Sequence, residues 1–135
     1  MYLLDTNALI ILLHEALANG KLKEETKSIM LNEDKLFVSI VSLWEIAIKV
    51  KIGKLGYTGT IEELQEGCYK QGVEIVPIKA DHLDKTLKLP WFDDHKDPFD
   101  RLIIAVGITE GMTVISTDNK IRRQEYLNEG LKVLW

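Results

Sequence analysis

The sequence predicts an α/β domain in three layers, a central parallel sheet of about five strands flanked by helices on both faces. Two observations carry this expectation. Short apolar runs alternate with longer helical stretches along the chain, the order that builds βαβ units. The runs are nearly continuous rather than alternating in polarity, as strands covered on both faces must be. A chain of 135 residues, 46% hydrophobic and 28% charged, sets the expectation of one domain over residues 1–135.

The first strand is read at Tyr2–Leu4 and the first helix at Ala8–Ala18, with Asp5-Thr6-Asn7 as the turn between them. A second helix follows over Glu24–Leu31, a strand rich in β-branched and aromatic residues over Lys35–Ile40, and a helix over Ser42–Lys51 that stops near Gly53. Thr60–Lys70 is helical, Val73–Pro77 a short strand and Asp81–Leu87 a helix. The segment PWFDDHKDP is a loop bounded by prolines, after which Pro98–Ile108 is helical and Gly111 marks its end. The remaining strands are MTVIST and LKVLW, and no repeat, low-complexity tract or linker interrupts the order.

Composition narrows the function classes. A net charge of −4 argues against a surface that grips nucleic acid by general phosphate attraction. It leaves room for a nuclease, because divalent cations in an acidic cleft supply positive charge locally. The single cysteine, Cys68, offers neither a disulfide framework nor a CxxC metal pattern, which suits an idle thiol in a reducing compartment. The apolar stretch Ala8–Leu13 is too short to span a bilayer and lacks a basic region ahead of it, so a cytoplasmic protein without membrane attachment is expected.

Asp5 stands out because it lies within an almost unbroken apolar run, where a carboxylate costs several kcal/mol unless something pairs with it. Glu45, Asp97, Asp100 and Asp118 also fall at strand ends or in apolar helices. Taken singly, each has an ordinary explanation. Ser42 and Glu45 have the S-x-x-E spacing of a capping box, and Lys49 is placed for an i,i+4 pair with Glu45. Asp97 reads as an N-cap, with Pro98 at the first helical position and Asp100 two residues further on, and Asp118 reads as a cap for a short following helix.

Capping alone does not explain convergence. In an open parallel sheet the carboxyl ends of the strands share one edge, and four or five carboxylates gathered there without as many arginines repel one another. Divalent cations relieve that repulsion. An all-oxygen ligand set suits Mg²⁺ or Mn²⁺ rather than zinc, and His14, His82 and His95 show no HxxxH or HxH spacing. Each histidine reads as a surface or helix-cap residue, and only His95 falls near the proposed site.

The stretches LLDTNALI, SLWEIAIKVKIGKL, HKDPFDRLIIAVG and VISTDNKI together resemble the PIN-domain ribonucleases, most closely the VapC-type toxins of toxin–antitoxin pairs. They occur in that family's order and span nearly the whole chain. The resemblance implies hydrolysis of RNA phosphodiester bonds with one or two Mg²⁺ or Mn²⁺ ions. It implies metal-binding acidic roles for Asp5, Glu45, Asp100 and Asp118, with Asp97 a weaker ligand candidate and Asn7 and Thr117 in support. It also implies an antitoxin partner and a homodimer, with a hydrophobic groove and dimer face drawn from the first helix and the apolar groups Trp91 and Trp135.

Two basic clusters, Lys49, Lys51 and Lys54 after Glu45 and Lys120, Arg122 and Arg123 after Asp118, are the expected RNA contacts, although each residue alone suits a solvated helix face. Arg101 is placed to pair with a nearby carboxylate. The rival readings are a PIN fold that only binds RNA or protein, and a phosphotransfer or phosphatase domain with an acceptor aspartate after its first strand. The second fits poorly, because those phosphatases carry another aspartate where this chain has Asn7.

Overall fold

A computed structural model describes residues 1–14, 22–32 and 35–135. The elements run β1 (Tyr2–Leu4), α1 (Thr6–Leu13), α2 (Glu24–Asn32), β2 (Leu36–Ser39), α3 (Ile40–Lys51), α4 (Ile61–Lys70), β3 (Val73–Val76), α5 (Ala80–Lys88), α6 (Pro98–Glu110), β4 (Thr113–Ile115), α7 (Gln124–Asn128) and β5 (Lys132–Leu134). The expected first helix continued to Ala18, and the part beyond His14 lies outside the described residues.

The five strands form one parallel sheet in the order β3-β2-β1-β4-β5, as expected. Successive strand residues face opposite layers. Leu3 and Val114 pack into one core with α6, while Leu4 and Ile115 pack into the other with α1 and α4, which is why the strands read as unbroken apolar runs. Helix α3 contributes Val41 to the first core and Leu43 and Ile46 to the second. It therefore lies across the end of the sheet and not on one face, and this carries Glu45 over the sheet's edge.

Helix ends follow their chemistry. Asp97 caps α6 by accepting from the Phe99 and Asp100 N–H groups at 2.8 and 3.3 Å, with Pro98 at the first position. Gly111 closes the same helix in the left-handed region at φ 67°, and the Met112 N–H reaches the Gly107 carbonyl at 2.9 Å. The expected Ser42–Glu45 capping box is not formed. Strand β2 runs directly into α3, so Ser39 is the N-cap, accepting from the Val41 N–H at 3.2 Å, and Ser42 lies inside the helix. Nor does Asp118 cap α7, which begins only at Gln124; its Oδ1 accepts the Lys120 N–H at 2.8 Å in the loop.

Arg101 does not pair with a carboxylate. It is buried, and its guanidinium donates to the carbonyls of Pro90 at 2.7 Å and Thr86 at 2.8 Å, a cation at the C-terminal end of α5 where the helix dipole favours one. This ties α5 to α6. His82 is fully buried and takes the helix-cap alternative of its expected roles, accepting from the Lys79 N–H at the start of α5 through Nδ1 at 3.1 Å and facing Glu110 through Nε2 at 2.7 Å.

Gly107 sits where α6 crosses β4, and a Cβ there would lie 2.6 Å from Val114 Cγ2. Gly107→Ala is expected to destabilise by about 1–3 kcal/mol through overpacking. Gly67→Ala, in α4 where a Cβ meets nothing within 4 Å, is expected to be neutral or to stabilise by up to about 1 kcal/mol. Urea unfolding of the two variants checks the pair.

Candidate functional site

The chain builds outward from β1 through β2 to β3, then crosses to β4 and β5, so the strand order switches between β1 and β4. Open parallel sheets bind ligands at such a switch, beyond the strand carboxyl ends. Asp5 follows β1 and Ser116–Asp118 follow β4. Helix α3 brings Glu45 and the N-terminus of α6 brings Asp100 to the same place, close enough that Asp5 and Asp100 each feel the charges of Asp118 and Glu45.

Asp5 is 4% exposed and is itself the N-cap of α1, its Oδ1 accepting from the Ala8 N–H at 2.8 Å. Burial pushes its carboxyl up to about 6; bonds from Ser116 and Ala8 pull it down, and the charges of Asp118 and Glu45 push it up further. Asp100 is pushed up to about 7, first by burial and then by the charges of Asp97, Asp118, Asp5 and Glu45. These are the marks of carboxylates crowded into a dry site with too little positive charge.

Hydroxyl groups that the sequence did not single out hold the acids in place. Ser116, fully buried, donates to Asp5 and accepts the Asp118 N–H at 3.0 Å, so one side chain links two acids. Thr6 donates to Glu45 Oε1 at 2.7 Å and sits 3.0 Å from Ser42 Oγ; with one proton each, Ser42 donates to Thr6 and Thr6 to the carboxylate. The signal for these was weak, since buried Ser and Thr beside an acid are common in any sequence. Asn7 is exposed on the first turn of α1, and Thr117 is half-buried beside Ser116. Asp97 stays exposed at the rim, occupied as a cap.

His95 is buried, not on the surface. Its Nε2 lies 3.1 Å from Asp100 Oδ2 and its Nδ1 3.0 Å from the Tyr126 hydroxyl. Burial and the charges of Arg123 and Lys120 hold its imidazole below the usual range, against the pull of Asp118 and Asp97.

The basic clusters divide. Lys49 pairs with Glu45 Oε2 at 3.3 Å, as the i,i+4 spacing predicts. Arg123 is tied to Asp94 and stacks over Phe92, while Arg122 bonds Asn119 and stacks over Trp135. Lys51, Lys54 and Lys120 are exposed.

Hard oxygen donors drawn together, two of them with raised proton affinity, form a donor set that could hold a divalent cation. Fold and site thus define an open parallel α/β domain with an acidic centre at its switch point. The sequence matches the PIN domain family over residues 2–125, and the chain belongs to that family. No curated protein matches it. Among solved structures, it is similar to VapBC2 from Rickettsia felis bound to a DNA fragment from their promoter, with a TM-score of 0.64 and 16% identity over 98% of this chain and 96% of that one. DNA-bound VapBC from Salmonella typhimurium gives 0.64 and 17% over 98% and 95%, and FitAcB from Neisseria gonorrhoeae 0.60 and 17% over 100% and 97%. At these identities the likeness is one of fold.

The raised carboxyls make a stability prediction for protein in chelator. Both folded-state values lie above those of the unfolded chain, so the folded state binds more protons between about pH 4 and 7 and loses stability as pH rises through that window. His95, shifted the other way, opposes this near its own titration, so the comparison needs a variant. For Asp5, the rise from 3.8 to about 6 corresponds to ~3 kcal/mol against the ionised form. Asp5→Asn is expected to melt close to the parent at about pH 4.5 and above it at about pH 8. A variant that melts clearly below the parent at the higher pH would contradict this.

Proposed function

We propose that this PIN domain is a metal-dependent endoribonuclease and the toxin of a toxin–antitoxin pair. The observation that carries the reading is the meeting of Asp5, Glu45, Asp100 and Asp118 at the switch point, with Asp5 and Asp100 held above the ordinary carboxylate range. In this reading the four acids are the ligands. Asp97 and Asn7 stand at the rim, and Thr117 lies beside the Ser116 hydroxyl that supports the cluster.

When bound, one or two Mg²⁺ or Mn²⁺ ions supply the positive charge that activates water at neutral pH and stabilises the charge developing on the phosphate. The chain's own residues prepare for it. Ser116 and the Ala8 N–H fix the Asp5 carboxylate, and Thr6 and Lys49 each engage one oxygen of Glu45. Burial excludes the water that would otherwise screen these charges. Lys51, Lys54 and Lys120 are exposed, and in this reading they steady flanking phosphates. Lys49, Arg122 and Arg123 enter that role only by giving up the partners described above.

Partners follow from the apolar surface and from the neighbours, which include toxin–antitoxin complexes. Exposed Trp44, Trp91 and Leu83 edge a hollow of about 400 Å³ between α3, α5 and α6, a face suited to a second copy of the chain. A smaller hollow of about 110 Å³ among Ile10, Leu13, Ile46, Leu55 and Leu64 suits an apolar side chain of an antitoxin helix. Trp135 contributes to neither, being packed between Lys23 and Arg122. Among the described residues no helix is long and apolar enough to cross a membrane.

End-labelled structured and unstructured RNA is expected to be cut with Mg²⁺ or Mn²⁺ and left intact in chelator. Asp5→Asn and Asp100→Asn are each expected to slow cutting by about 100-fold or more. RNA bound in chelator but cut under no condition would overturn the nuclease reading in favour of a binding module.

A further inference from the structure

We propose that His95 is a nitrogen ligand of the acidic centre, so that this chain's site prefers Mn²⁺, and later first-row ions such as Co²⁺, over Mg²⁺. The inference rests on the metal-centre reading above and adds to it a residue outside the acidic quartet.

His95 is 3% exposed and rigidly placed. Its backbone N–H donates to the Phe92 carbonyl at 3.2 Å across an isolated antiparallel bridge, and its ring meets that of the fully buried Tyr126 edge-on, with centroids 5.7 Å apart. One donor atom each from His95, Asp100 and Asp118 all lie within 4.8 Å of one another. The imidazole edge thus faces the carboxylates, with Nε2 3.1 Å from Asp100 Oδ2.

What decides whether such a nitrogen can ligate is the partner of the other ring nitrogen. His95 Nδ1 is 3.0 Å from the Tyr126 hydroxyl, a group that can donate or accept. With Nε2–H donating to Asp100, the tyrosine donates to Nδ1. With the proton on Nδ1, the tyrosine accepts it, and the Nε2 lone pair faces the space between Asp100 and Asp118. Either tautomer keeps its tyrosine bond, so presenting Nε2 to a cation costs only the hydrogen bond to Asp100.

The second histidine–carboxylate cluster shows the contrast. Asp81, His82 and Glu110 also bring three potential ligand atoms together. There, however, Nδ1 faces the Lys79 backbone N–H at 3.1 Å, a group that can only donate. Neutral His82 must then carry its proton on Nε2, where it is given to Glu110 at 2.7 Å, and no lone pair is left for a metal. That cluster caps α5; the His95 cluster is free to ligate.

An imidazole in the ligand set shifts preference away from Mg²⁺, which takes oxygen ligands and keeps its water, toward ions higher in the Irving–Williams series. The test is calorimetric titration of Mg²⁺ and Mn²⁺ into the parent and His95→Gln, with electron spin-echo spectra of the Mn²⁺ forms. Glutamine can still donate to Asp100, so orientation of the carboxylate is retained. The parent is expected to bind Mn²⁺ more tightly than Mg²⁺ and to show nitrogen modulation. His95→Gln is expected to lose the modulation and to weaken Mn²⁺ by about tenfold or more, with Mg²⁺ changed by less than about threefold. Equal weakening of both ions, or a parent without nitrogen modulation, overturns the proposal and leaves His95 as a residue that orients Asp100. A parent that binds neither ion fails the metal-centre reading itself. Should His95→Gln not fold, the modulation in the parent decides alone.

Discussion

The structure of the carboxyl edge depends on one constraint: Asp5 is buried at the end of the central strand, in surroundings that disfavour its charge. Two hydrogen bonds, from Ser116 and the Ala8 N–H, offset part of the cost, yet the carboxyl still rises to about 6. Neighbouring strands and helices then add three more acids to the problem instead of a countercharge. Lys49 reaches Glu45, but Arg101, the buried cation one residue from Asp100, is turned away to the carbonyls at the end of α5. A chain that spent its buried arginine on the Asp100 carboxylate would be electrostatically calmer and would have no use for a cation.

The same arrangement explains why the scaffold is rigid where it is. Helix α6 presents Asp100 from its first turn, capped by Asp97, and packs its middle so closely on β4 that Gly107 admits no side chain. Helix α3 grows out of β2 without a loop, which holds Glu45 above the sheet edge while Thr6, one residue after Asp5, bonds it from α1. Helices α1 and α3 are thereby coupled through side chains close to their starts, where a lone helix end would fray.

The fold was legible because strand and helix signals were separate. Unbroken apolar runs such as Leu36–Ser39 between helical stretches leave little choice but a parallel sheet, and Pro98 and Gly111 mark both ends of α6. The acids were legible by their misplacement in apolar context. Capping was less so: Ser39 and Ser42 are both plausible caps, and only the direct passage from β2 into α3 selects the first. Long-range partners were not readable at all. Nothing local says that Thr6 reaches Glu45, that Arg101 reaches back to Thr86, or that His95 is held by Tyr126, because each depends on which helix crosses which.

The central claim is that the buried carboxylates take protons for want of a cation, and proton release on metal binding tests it most directly. Mn²⁺ binding to the parent would be followed by calorimetry in buffers of different ionisation enthalpy, at about pH 6 and about pH 8.5. With Asp5 near 6 and Asp100 near 7, roughly one proton or more should leave per protein at the lower pH and almost none at the higher. Binding heats that do not depend on the buffer at the lower pH, or no binding at either, would contradict the account.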